Sequence, residues 1–78
     1  MEIEPILEEL KNPDRNRRLK AAFALGEAFA GRAAPGRPGD AVVARVVTAL
    51  EEVMADAGSG AWMRKRAKRA LKKMRGEE

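Results

Sequence analysis

NPDRNRRLKAAFALGEAF, Asn12 to Phe29, is the stretch whose reading decides the fold. Asn12-Pro13-Asp14 is a turn signal, and Asp14 is placed to cap a helix that follows. On a helical wheel Leu19, Ala22, Phe23, Gly26, Phe29 and Ala30 share one face, and Leu25 widens it. Ala21, Ala24 and Ala28 cover most of the rest. A helix apolar over so much of its circumference packs on more than one side, and the spacing predicts it over Arg15 to Ala30 with Gly31 as C-cap. Phe23 and Phe29 are expected to be enclosed in an aliphatic seam.

Outward from that helix, Glu2 to Lys11 reads as a first helix with Ile3, Ile6, Leu7 and Leu10 on one stripe. Pro5 is tolerated only in a first turn, which fixes its start near Glu4. Arg32 to Gly39, RAAPGRPG, holds two prolines and two glycines in eight residues, which excludes regular structure and predicts a linker. Asp40 caps a third helix, Ala41 to Ala57, striped by Val42, Val43, Val46, Ala49, Leu50, Val53 and Ala57, with Val47 and Met54 at the margin. Its valines lower helix propensity, so tertiary packing has to hold it. Gly58-Ser59-Gly60 ends it, and Ser59 is a candidate cap for a last helix, Ala61 to Arg75. Met63, Ala67, Ala70, Leu71 and Met74 form a narrow apolar face on that helix. No strand signal is present, so the expected fold class is all-α: four helices as two antiparallel hairpins in one domain.

The chain has 78 residues, 45% hydrophobic and 36% charged, with formal net charge +4. Regularly spaced aliphatics make it globular, although a chain this short buries only about 60% of its unfolded surface. Tyr, His, Cys and Gln are absent, while Ala occurs fifteen times. A GC-rich or thermophilic source, or a sequence computed for folding from strong helix formers, would produce such an alphabet. Without Cys there is no disulfide framework or thiolate nucleophile, and without His the usual neutral-pH proton carrier is missing. No run of about 18 apolar residues predicts a membrane span. The N-terminus, MEIEPILEEL, is acidic and lacks the basic start of a secretory signal, so a cytoplasmic location is the default expectation.

The two halves repeat each other. A shift of 46 residues aligns Arg18 with Arg64, Lys20 with Arg66, Ala21 with Ala67, Ala24 with Ala70 and Leu25 with Leu71. Each segment follows an aliphatic helix, ILEEL in one case and VVTALEEVM in the other. The pattern resembles HEAT-type and armadillo-like α-helical repeats, in which an aliphatic A helix, an Asp/Pro turn and an arginine-initiated, alanine-rich B helix recur. LKNPDRNRRLKAAFAL matches it well. The second repeat departs from it, with Gly58-Ser59-Gly60 in place of the Asp-Pro turn and Lys68 where an alanine is expected. The resemblance implies repeat one at about 2–31, a linker at 32–39 and repeat two at about 40–76. It implies a scaffold that binds proteins or nucleic acids, and no chemistry.

Basic residues are uneven along the chain. Eight of the sixteen Lys and Arg lie between Arg64 and Arg75, with no acid before Glu77, and Arg15, Arg17, Arg18 and Lys20 open the central helix. Positive charge at a helix start opposes the macrodipole by roughly 0.3–1 kcal/mol per exposed charge, so another constraint selects it. One reading is a protein-binding surface of Trp62, Arg66, Arg69 and Lys73 with Arg37 of the linker, since Trp and Arg are frequent interface anchors. The alternative is a phosphate-binding surface of Arg15, Arg17, Arg18, Lys20, Arg64, Lys65 and Lys68, with weak sequence preference. A third is a solvated face, with Trp62 folded back over the end of the third helix and Arg66 on its ring. Met54, Met63 and Met74 read as core filler.

Catalysis is not expected. A general base would have to be a carboxylate or lysine, and the adjacent pairs Glu8/Glu9 and Glu51/Glu52 diverge around their helices. No metal-ligand spacing, P-loop or dinucleotide motif is present, so no cofactor is expected. Oligomeric state is left open.

Overall fold

A computed structural model describes residues 3–36 and 40–77. The described chain is helical: α1 (Glu4–Glu9), α2 (Arg15–Ala28), α3 (Ala41–Ala55), a single 3-10 turn (Ala57–Ser59) and α4 (Ala61–Met74). No strand occurs among the described residues. The all-α, four-helix expectation therefore holds, with α1–α2 and α3–α4 as two helical hairpins.

Two aspartates set the helix starts as their spacing requires. The Asp14 carboxylate accepts the Asn16 N–H at 2.8 Å, and Asp40 accepts those of Val42 and Val43 at 2.8 and 3.4 Å. Each satisfies donors that a helix start leaves unpaired. The Asn12 side chain in turn accepts the Asp14 N–H at 2.8 Å, which rigidifies the turn. Pro5 occupies the first turn of α1.

Several boundaries differ from expectation. α1 ends at Glu9, because Leu10 to Asn12 tighten into turn-type hydrogen bonds. α2 ends at Ala28 with Phe29 as C-cap. Gly31 lies two residues further on, and its N–H donates to the Lys73 carbonyl at 2.9 Å. α3 stops at Ala55, since Asp56 leaves the helix to cap the 3-10 turn, and Ala57 is exposed instead of on the stripe. Ser59 does not cap α4; Gly60, at φ +84, precedes it without a side-chain bond. α4 ends at Met74 in a Schellman motif: Gly76, at φ +77, and Glu77 donate to the carbonyls of Lys73 and Lys72. Arg37 and the Pro38-Gly39 part of the linker lie outside the described residues.

α4 is the element that packs on both α2 and α3. Its five predicted apolar residues are all buried, with Met63 and Met74 almost without exposure. They meet Val43, Val46 and Leu50 of α3, and Ala21, Ala22, Leu25 and Phe29 from α2 and its cap, in one cluster. Ile3 and Leu10, flanking α1, are buried in it as well. Met54 is half-buried.

Contacts between α2 and α4 rise in the same order along both helices. Phe23 lies under Arg66, Gly26 against Ala70, Glu27 pairs with Lys73, and the Gly31 and Ala33 N–H groups reach the carbonyls of Lys73 and Met74. The two helices therefore run parallel, and the chain after α2 closes the end of α4. This register turns Phe23 outward: it is 53% exposed, contrary to the enclosed position expected of it, while Phe29 is buried. The buried line is Ala22, Leu25, Gly26 and Phe29. Its small members let α4 approach, and Phe23 falls beyond the edge of the contact. Val42, expected on the stripe of α3, is 40% exposed at the start of that helix.

Two substitutions test this packing by thermal or urea denaturation. Leu50→Ala empties a fully buried site and is expected to cost about 2–4 kcal/mol. Arg18 donates to the Asn12 and Pro13 carbonyls at 2.7 and 3.0 Å, so Arg18→Ala is expected to cost about 1–2 kcal/mol, against under about 0.5 for exposed Arg15→Ala. Equal effects at Arg18 and Arg15 would contradict the anchoring role.

Candidate functional site: an aromatic and basic groove along α4

α4 presents its apolar stripe inward, so its seven cations must face outward or sideways. Trp62, Lys65, Arg66, Arg69 and Lys72 fall on one side of the helix at spacings of three and four residues, which places them in a row. With Leu19 of α2, Lys68 and Glu77 they line an open groove of about 620 Å³. Trp62 is 69% exposed, the most exposed large apolar side chain described. Lys65 Nζ lies 5.7 Å from its ring centroid.

Trp62 thus does not fold back over the end of α3, and Arg66 is not on its ring. Arg66 lies instead 5.8 Å over the Phe23 ring, and Lys73 Nζ is at the same distance from it. Phe23, Gly26, Glu27, Arg69 and Lys73 line a smaller depression of about 160 Å³ beside the groove. Sequence reasoning missed Leu19, Phe23 and Lys72 as part of this surface. Leu19 and Phe23, four residues apart, do form a line on α2; the wheel assigned that line to the core because it is apolar.

The predicted protein-binding residues Trp62, Arg66 and Arg69 therefore share the groove, with Lys73 adjacent through Phe23. Lys73 also pairs with Glu27. Arg37 lies outside the described residues.

The phosphate-binding set is dispersed by comparison. Arg17 lies 3.5 Å from Glu9, and Arg18 is half-buried on the α1–α2 turn with its Nε lacking a partner. Arg15 and Lys20 are exposed at the start of α2. Arg64, Lys65 and Lys68 are exposed on α4, where Lys65 and Lys68 line the groove.

Compared with protein-family models, curated proteins and solved structures, the chain matches none of them.

Acidic side chains are largely engaged inside the molecule. Glu4 pairs with Arg45, Glu9 with Arg17, Glu27 with Lys73, Asp40 with Arg32 and Glu51 with Arg75, while Asp14 and Asp56 serve as caps. Lys65, Lys68 and Lys72 have no carboxylate within ion-pair distance among the described residues. These three lysines line the groove together with one acid, Glu77. Among the described residues no helix is long and apolar enough to cross a membrane, and no cluster of three or more acidic groups could hold a metal ion.

The Phe23 contact carries a prediction. Two cations over a half-exposed ring contribute about 0.5–1 kcal/mol each at such a site. Phe23→Ala is expected to lower stability by only about 1–2 kcal/mol, well below the roughly 3–5 of an enclosed phenylalanine. A cost near the upper figure in chemical denaturation would put Phe23 back in the core.

Proposed function

We propose that this chain is a non-catalytic helical scaffold whose α2–α4 groove docks a protein partner. One observation carries the reading: Trp62 stands exposed beside Leu19 within a row of cations. An exposed tryptophan costs hydration free energy in the isolated chain and recovers it when a partner covers the ring. Bulky side chains of a protein suit the Leu19–Trp62 end, and its carboxylates suit the lysines and arginines beyond it. The missing His, Cys and Tyr support a binding role over catalysis. The parallel register of α2 and α4 supports the likeness to two stacked HEAT-type hairpins, with α2 and α4 as the B helices.

A second reading, an electrostatic nucleic-acid binder, is favoured by the run of cations on α4 without an acid. Two features count against it. Arg17 and Arg18 at the start of α2 are engaged with Glu9 and the turn carbonyls. The Phe23 ring already carries Arg66 and Lys73 in place of a stacked base.

Selection of random displayed peptides on the immobilised chain tests the proposal. Binders are expected whose affinity falls at least tenfold for Trp62→Ala while the circular dichroism of the variant is unchanged. A selection that yields no Trp62-dependent binder contradicts the proposal. So does saturable binding of a short oligonucleotide at 200 mM salt, on the order of physiological ionic strength, that Arg15→Glu or Lys20→Glu weakens.

A further inference from the structure

The groove is polarised along its length. Phe23 lies under Arg66 and Gly26 against Ala70, so the parallel register sets Leu19, one turn before Phe23, beside the Trp62 end of α4. That end is apolar. Beyond it Lys65, Arg69 and Lys72 follow at i, i+4 and i+7, a straight row of cations. From Trp62 to Lys72 the helix rises about 15 Å, the length of roughly three turns.

On the reading of the groove as a protein-docking surface, we propose that its occupant is an acidic amphipathic helix of about three turns. One bulky aliphatic or aromatic side chain at one end of that helix covers Leu19 and Trp62. Carboxylates at i and i+7, two turns apart on one face, meet Lys65 and Lys72.

Charge and backbone chemistry select this occupant. The groove walls are side chains, and among the described residues no strand edge exists for an extended peptide to join, so the occupant must satisfy its own backbone hydrogen bonds. A helix does this and matches the spacing of the cation row. A second copy of the chain is a poor fit: with the engaged acids set aside, only Glu8, Glu52 and Glu77 remain among the described residues to meet that row. Glu77 already lines the groove, and Glu8 and Glu52 stand on different helices and form no ladder. A nucleic acid would supply charge for the row but no aliphatic group for the Leu19–Trp62 end.

The test uses two synthetic peptides of about 14 residues, long enough for three turns with ends to spare. Both lack tryptophan and have the same composition; one carries the leucine and the glutamate ladder in register, and the other is a scramble. Fluorescence anisotropy of the labelled peptides reads affinity, and circular dichroism reads helix gained on binding. The patterned peptide is expected to bind at least tenfold tighter than the scramble, to gain helix, and to weaken several-fold between 50 and 200 mM salt as Debye screening shortens. Lys65→Glu with Lys72→Glu is expected to weaken it at least tenfold, and Lys65→Gln with Lys72→Gln to do so partially, with folding of each variant checked by its own dichroism.

Equal affinity for pattern and scramble would overturn the helical occupant. So would Trp62-dependent binders from peptide selection that carry no acidic ladder, while leaving the docking surface itself intact. If the patterned peptide fails and peptide selection gives no Trp62-dependent binder either, both the occupant and the docking surface fall. Displacement of the bound patterned peptide by an oligonucleotide at 200 mM salt, with affinity above that of the peptide, would overturn the choice of a protein occupant.

Discussion

Everything in this molecule depends on how closely α2 can approach α4 at Gly26. A Cβ built on Gly26 would stand 3.0 Å from the Ala70 Cα and 3.1 Å from its Cβ, closer than packed atoms rest. The helices touch there almost backbone to backbone. Glycine in a helix interior forfeits up to about 1 kcal/mol relative to alanine, so its presence at this crossing is explained by the contact it permits. That contact fixes the register that drops Leu25 and Phe29 into the core and leaves Leu19 and Phe23 along the rim. The groove on α4 is a consequence of it.

Around the crossing, stability comes from apolar burial more than from charge. All five ion pairs among the described residues have side chains at least about one-third exposed, and exposed pairs contribute on the order of 0–1 kcal/mol each. Removing a single buried leucine or methionine outweighs any of them. The pairs do connect elements that share little core: Arg45 with Glu4 joins α3 to α1, and Arg75 with Glu51 ties the end of α4 to α3. α1, only six residues long, is held by Ile3 and Leu10 on either side of it and by Ile6 and Leu7, which pack against the core. Lysines in the last turn of α4 suit its dipole, while Arg64 in its first turn opposes it.

How far the sequence could be read varied with how sharply each helix divides polar from apolar. On α4 long cations surround a narrow stripe, and all five stripe residues are buried as the spacing requires. On α3 the inner residues Val43, Val46 and Leu50 follow equally. α2 offered two adjoining apolar lines, Ala22–Leu25–Gly26–Phe29 and Leu19–Phe23, on one broad face. Only the close approach to α4 chooses between them, and that is a tertiary fact. Asp14 and Asp40 were legible because an N-cap acts locally; Ser59 was not, because Asp56 captured the turn first. Trp62 and the row of cations could be placed on one helix face, but the Leu19 wall of their groove required the register of α2.

A double-mutant cycle between Gly26 and Ala70, followed by urea denaturation, tests the crossing most directly. Gly26→Ala is expected to destabilise by about 1 kcal/mol, overpacking outweighing the gain in helix propensity. Ala70→Gly alone should also destabilise, by a similar amount. The double variant, which moves the methyl group across the interface, should be more stable than the sum of the two by about 1 kcal/mol, as residues in contact require. Strict additivity, or a Gly26→Ala variant as stable as the parent, would contradict the close α2–α4 contact on which the fold and the groove both rest.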